Sequence, residues 1–212
     1  DYLTEVPADK YSYQTRFNYN KKNEDGTPDT NWNLAAANEA FRLSWYYGLD
    51  LTEYFKRSNS LDPLSCENEY YSMKGFIYTS DGTDYTELVR QEMGLPEANG
   101  ETMVRLDAEK AAAYKQQAIE ELTALGVTFP VTIDYFISFI LNGWGADYGD
   151  PQNYLGQQRY GYDNAYYCTT YNYVNDLTEE TPANKDLLAT YKEFAKMVDE
   201  ADAITDNMDE RY

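Results

Sequence analysis

The chain has 212 residues, 37 of them acidic and 17 basic, for a formal net charge of −20. That length allows one substantial core, and a field of that sign repels nucleic acid and anionic membrane surfaces. Histidine is absent, which removes the commonest general base, the histidine-assisted nucleophiles and the commonest zinc ligand; no catalytic, metal or cofactor site is expected.

In chain order, Tyr11, Tyr13, Phe17 and Tyr19 fall mostly on alternate positions, the pattern of a half-buried strand over Ser12–Asn20. Lys22 to Asn31 is charged and rich in Asn, Asp, Gly and Pro, and reads as an exposed loop. Leu34, Ala37, Phe41, Trp45 and Gly48 then line one side of a helix with Asn33 as N-cap. Between Tyr54 and Thr83 short pieces separated by Asp62-Pro63 and Asp81-Gly82 imply irregular structure with turns, followed by a short helix over Asp84–Met93.

The clearest helix starts at Asp107 and puts Ala111, Tyr114, Ala118, Leu122 and Leu125 on its core side before stopping at Gly126. A strand over Val131–Tyr135 is expected next. Trp144 to Tyr173 has the composition of a surface with hydrogen-bonding aromatics, in which Tyr154, Tyr160, Tyr162, Tyr166 and Tyr167 are candidates to line a pocket. A last helix, about Ala183–Thr205, carries Leu187, Leu188, Tyr191, Phe194, Ala195 and Val198 on its apolar face. Helices alternating with strands point to an α/β chain with helices packed on a mixed sheet. Cys66 and Cys168 form no metal or redox motif, and leave open a disulfide or, more simply, two unrelated thiols.

The segment Leu141-Asn-Gly-Trp-Gly-Ala-Asp-Tyr-Gly-Asp-Pro-Gln-Asn-Tyr-Leu155 closely resembles the motif of the family 5 extracellular solute-binding proteins, receptors of ABC importers for oligopeptides and dipeptides and, in some members, nickel chelates or sugars. The strand ending Arg16-Phe-Asn-Tyr-Asn, the acidic loop, and Asn38-Glu-Ala-Phe-Arg-Leu-Ser-Trp-Tyr-Tyr-Gly-Leu-Asp50 are similar to the family's strand, loop and helix in order and spacing. The resemblance implies a periplasmic-binding-protein-like (type II) fold, with residues 1–212 forming a single lobe, the second of two. Where the family has a helix and another strand before the Trp144 motif, only a few residues stand here. Parallel strands need a crossover of about a dozen residues or more, so either a segment is missing near Ile137 and Ser138, or residues 131–141 form one long strand.

By the same resemblance the peptide-binding positions are Gly143, Trp144, Gly145 and Asp147. Asp147 would pair with the peptide's α-amino group, and the neighbouring backbone would bond an extended ligand as an added strand does. Read from the residues alone, Asp147 could equally be a turn acid capping its own backbone, and Trp144 a core aromatic. Arg42, Asp50, Asp150 and Pro151 read as structural. The implied partners are an oligopeptide, the missing partner lobe of the same parent chain and a membrane ABC permease. The implied location is extracellular, as a cell-surface lipoprotein, or periplasmic, with the leader outside this chain. A surface carbohydrate-binding module or sugar-binding receptor is the alternative; a two-carboxylate glycosidase has no motif to mark its pair.

Overall fold

A computed structural model describes residues 10–212. The sheet is a two-stranded antiparallel ribbon of β1 (Tyr11–Phe17) and β2 (Phe139–Gly145), smaller than the expected mixed sheet but flanked by helices as an α/β fold requires. The register pairs Tyr11 with Gly145, Ser12 with Trp144, Tyr13 with Gly143 and Phe17 with Phe139.

The helices are α1 (Thr30–Ala37), α2 (Glu39–Gly48), α3 (Thr52–Phe55), α4 (Tyr85–Glu92), α5 (Ala108–Ala124), α6 (Gln152–Leu155), α7 (Tyr166–Thr170), α8 (Lys185–Asp202) and α9 (Met208–Arg211). The expected helix from Leu34 to Gly48 is two helices that break at Asn38. Asn38 is extended (φ −74°, ψ 125°) and caps α2 by accepting from the Phe41 amide, and the Arg42 guanidinium closes α1 by donating to the Ala36 and Ala37 carbonyls at 2.8 and 2.7 Å. The N-cap of α1 is Asp29, not Asn33. Asp50 accepts from the Thr52 amide at the start of α3. Asp107 caps α5 as expected, but Leu125 lies exposed past its end.

Residues 131–135 form no ladder, and neither the short strand nor one long strand over 131–141 is present. The chain instead turns back on itself: the Ile137 and Ser138 amides both donate to the Asp134 carbonyl, and Phe136 adopts φ +74°. Because β2 then runs antiparallel to β1, no crossover helix is required.

Three apolar clusters hold these elements. Trp32, Tyr19, Ala165, Cys168, Val174, Leu187 and Leu188 join α1, α7 and α8; Ala35, Ala40, Ala118, Leu122 and Val127 seat α2 on α5; Ile77, Tyr85, Ala146 and Tyr154 lie beneath the end of β2. The stretch after Trp144 was expected to be surface, yet Tyr154 and Tyr167 are among its most buried side chains. The Tyr154 hydroxyl donates to the Lys10 carbonyl, the usual condition for burying tyrosine, and the Tyr167 ring receives the Arg16 guanidinium. Both cysteines are free thiols, and burial pushes the Cys168 thiol up to about 12.

Candidate peptide-binding site

The four residues singled out by sequence lie together at the end of β2 and in the loop that follows. Successive side chains alternate across a strand, and the burial follows: Ala146 belongs to the cluster beneath and Trp144 packs against it, whereas Asp147 is exposed. Trp144 is half-buried, donates its indole N–H to Asn153 Oδ1 at 3.0 Å and tilts against Tyr166 at 5.4 Å between centroids. These contacts hold the ring against the segment that follows β2.

Gly143 and Gly145 have a reason to be glycine within this chain. A Cβ on Gly143 would lie 2.9 Å from the Tyr13 ring, and one on Gly145 would lie 2.6 Å from that of Tyr11. The two tyrosines of β1 lie across their register partners, an aromatic covering of cross-strand glycines, and remain largely exposed on the outer face.

Asp147 and Asp150 differ in how far they are engaged. Asp150 accepts from the Gln152 amide at 2.8 Å and takes Arg211 in a two-point contact, Nε–Oδ2 at 3.0 Å and Nη2–Oδ1 at 3.2 Å. Arg211 also reaches Asp202 at 2.7 Å, so α9 fastens the loop to α8. The Asp147 carboxylate has no hydrogen-bond or ion-pair partner among the described residues, and only its backbone N–H is held, by Asn153 Oδ1 at 3.4 Å. The turn-capping role belongs to Asp150.

Asn153 was not visible in the sequence reading. It is buried, and one carboxamide oxygen fixes both the Trp144 indole and the Asp147 amide; its only signal was its place two residues after Asp150-Pro151. Residues 70 and 71 lie against the inner face of β1, where Ser12 Oγ and Gln14 Nε2 donate to the Tyr70 and Tyr71 carbonyls. The far edge of β2 carries one isolated bridge, Tyr135 to Phe139, and no ladder beyond it among the described residues.

Of the candidate tyrosines, Tyr166 packs against Trp144 and Tyr154 lies in the cluster beneath the strand, whereas Tyr160 and Tyr162 stand apart from the site. Tyr160 donates to the Leu177 carbonyl, Tyr162 to Asp199, and Tyr166 meets the Tyr171 hydroxyl. Tyr160 and Tyr162 do line an open depression of about 450 Å³ against α8, but it shares no residue with the Gly143–Asp147 segment. No group of three or more Cys, Asp or Glu side chains among the described residues could hold a metal ion, and none of their helices is long and apolar enough to cross a membrane.

No protein-family model matches the chain, and no curated protein matches it. Among solved structures the fold is that of a substrate-binding domain of the periplasmic-binding-protein kind. The chain is similar to the substrate-binding domain of an oligopeptide ABC transporter from Bacillus anthracis str. Ames, with TM-score 0.54 and 15% identity over 96% of this chain and 39% of that one. A match to Listeria monocytogenes OppA bound to peptide has TM-score 0.49 and 16% identity, over 90% of this chain and 40% of that one. The chain thus spans about two fifths of the length of the structures it matches.

Proposed function

We propose that the chain forms one wall of a peptide-binding cleft, in which an extended oligopeptide adds to the open edge of β2 and places its α-ammonium on Asp147. The observation that carries this reading is the Asp147 carboxylate, exposed and without a partner among the described residues, beside a strand edge that they leave unladdered, while Asp150 three residues on is fully engaged. A free carboxylate gains a charge-assisted bond from an ammonium, and an open edge supplies sequence-independent backbone bonds. The role is binding rather than catalysis, as the substrate-binding component of an ABC importer acting outside the membrane, extracellular and lipid-anchored or periplasmic. A second lobe of a longer parent chain closes over the peptide and the closed form docks on the permease. The exposed Phe136 and Ile137 at the turn support the reading that the parent carries further residues there.

Calorimetric titration with short peptides, their amino termini free or acetylated, tests the anchor. Free peptides should bind about 10- to 100-fold more tightly, the worth of one charge-assisted bond, and Asp147→Asn should abolish the difference; equal affinities in all four combinations would contradict the assignment.

The exposed Tyr11 and Tyr13 rings favour one second reading, stacking on sugar rings. Glycan binding would be indifferent to Asp147→Asn and lost in Tyr13→Ala.

A further inference from the structure

The inner face of the ribbon buries a cation with no counter-charge among the described residues. Arg16 is only 7% exposed and forms no ion pair among the described residues. Its partners are neutral: Gln158 Oε1 accepts from Nη1 at 2.7 Å, Gln14 Oε1 accepts from Nη2, and the Tyr167 ring lies 3.6 Å from Cζ. A guanidinium keeps its charge inside a protein, and burying it without an anion is costly; buried arginines are ordinarily matched by a carboxylate.

Hydrogen-bond donors are left over around it. Among the described residues, Arg16 Nε and Gln158 Nε2 have no acceptor, nor do the Tyr167 and Ser72 hydroxyls, and Asn142 Oδ1 is the one acceptor in this group left without a donor. Gln158, Tyr167 and Ser72 are each at most 2% exposed. Ser72 follows Tyr70 and Tyr71, whose carbonyls take the Ser12 and Gln14 side chains of the same face, and Asn142 is the register partner of Gln14. Surplus donors around a buried positive charge are the complement of an anion. These atoms are sealed from solvent, which restricts any occupant to a small one.

We propose that the Arg16–Gln158–Tyr167 cluster is a structural site for a small monovalent anion, with chloride as the physiological candidate, which neutralises Arg16 and locks the ribbon onto the 156–167 segment. The site lies on the face opposite Tyr11 and Tyr13, and its existence is independent of the peptide-binding reading.

The test is thermal unfolding in sodium chloride against sodium gluconate at equal ionic strength, with anomalous diffraction from a bromide-soaked crystal. The expected results are a bromide peak within hydrogen-bond distance of Arg16 Nε and a melting temperature that rises by about 3 °C per tenfold chloride above the dissociation constant. Gln158→Glu, which supplies a carboxylate at the same place, should melt in gluconate as high as the parent does in chloride and lose the chloride dependence. Identical melting in the two salts with no bromide peak would overturn the proposal and leave the donors to water. A bromide peak without chloride-dependent stability would mark an adventitious ion only, and would overturn it equally.

Discussion

The two faces of the β1–β2 ribbon reverse the usual arrangement of a half-buried sheet. The inner face is polar, with Ser12 and Arg16 buried and Gln14 half-buried beside the half-buried Asn142 and Trp144, while the outer face shows Tyr11 and Tyr13, the latter 62% exposed, lying on two glycines. Alternation predicts two faces but not which one turns inward. Here the inward choice follows from what covers each side: α7, the 156–158 turn and residues 70–72 bring carbonyls, amides and a tyrosine face that match Ser12, Gln14 and Arg16. The aromatic face divides along its length: Phe17 packs against Trp32, Phe41 and Trp45 and Phe139 against Trp45, while Tyr13 at the other end stays exposed.

If the inner face carries the fold and the outer face carries recognition, substitutions on the two sides should separate in kind. The largest effect is expected at Trp144→Ala, which removes a packed indole and its bond to Asn153. A loss of about 3 kcal/mol follows, read as a lower urea midpoint at unchanged slope; a loss below about 1 kcal/mol would move Trp144 to the recognition side.

A pH effect should come next, from the segment that covers the inner face. Burial first, and the neighbouring Glu69 second, push the Glu67 carboxyl up to about 7, while Arg105 holds Glu69 with Nε–Oε1 at 3.2 Å. With its folded value raised above the ordinary 4.5, Glu67 holds a proton in the folded state that the unfolded chain has released. Its contribution is therefore full below about pH 4.5, lost as the pH rises through about 7, and worth roughly 1 kcal/mol after discounting for partial exposure. Glu67→Gln should flatten that slope in urea midpoints measured from pH 5 to 8.

Gly145→Ala forces the Tyr11 ring aside and should cost about 1 kcal/mol with an altered near-ultraviolet dichroism signal. Tyr13→Ala should change stability by less than about 0.5 kcal/mol, and a larger loss would show that the outer face also belongs to the core. Asp147→Asn should leave the melting temperature unchanged, since nothing in the described fold holds its carboxylate.

Much of the helical framework was readable because its signals are local. The Asp107 cap, the α5 stripe of Ala111, Tyr114, Ala118 and Leu122, and the α8 stripe of Leu187, Leu188, Ala195 and Val198 need only periodicity and capping chemistry. The break at Asn38 was hidden because α1 and α2 both follow an apolar pattern, and only the Asn38 cap and the reach of Arg42 back to α1 separate them. The sense of the ribbon, the covering of Gly143 and Gly145 by tyrosines more than 100 residues away in sequence, and the double use of Asn153 depend on contacts between distant segments. The motif brought Gly143, Trp144, Gly145 and Asp147 to notice as one unit. In the structure the two glycines admit β1 tyrosines, the tryptophan bonds Asn153, and the acid's carboxylate has no partner among the described residues.

The most direct measurement of the central claim is a backbone amide NMR titration of the chain with an unlabelled tripeptide carrying a free amino terminus. Progressive shifts confined to β2 and the loop through Asp147 are expected, with their loss when the peptide is acetylated. Shifts confined instead to the Tyr160–Tyr162 depression against α8, or unchanged by acetylation, would contradict that claim.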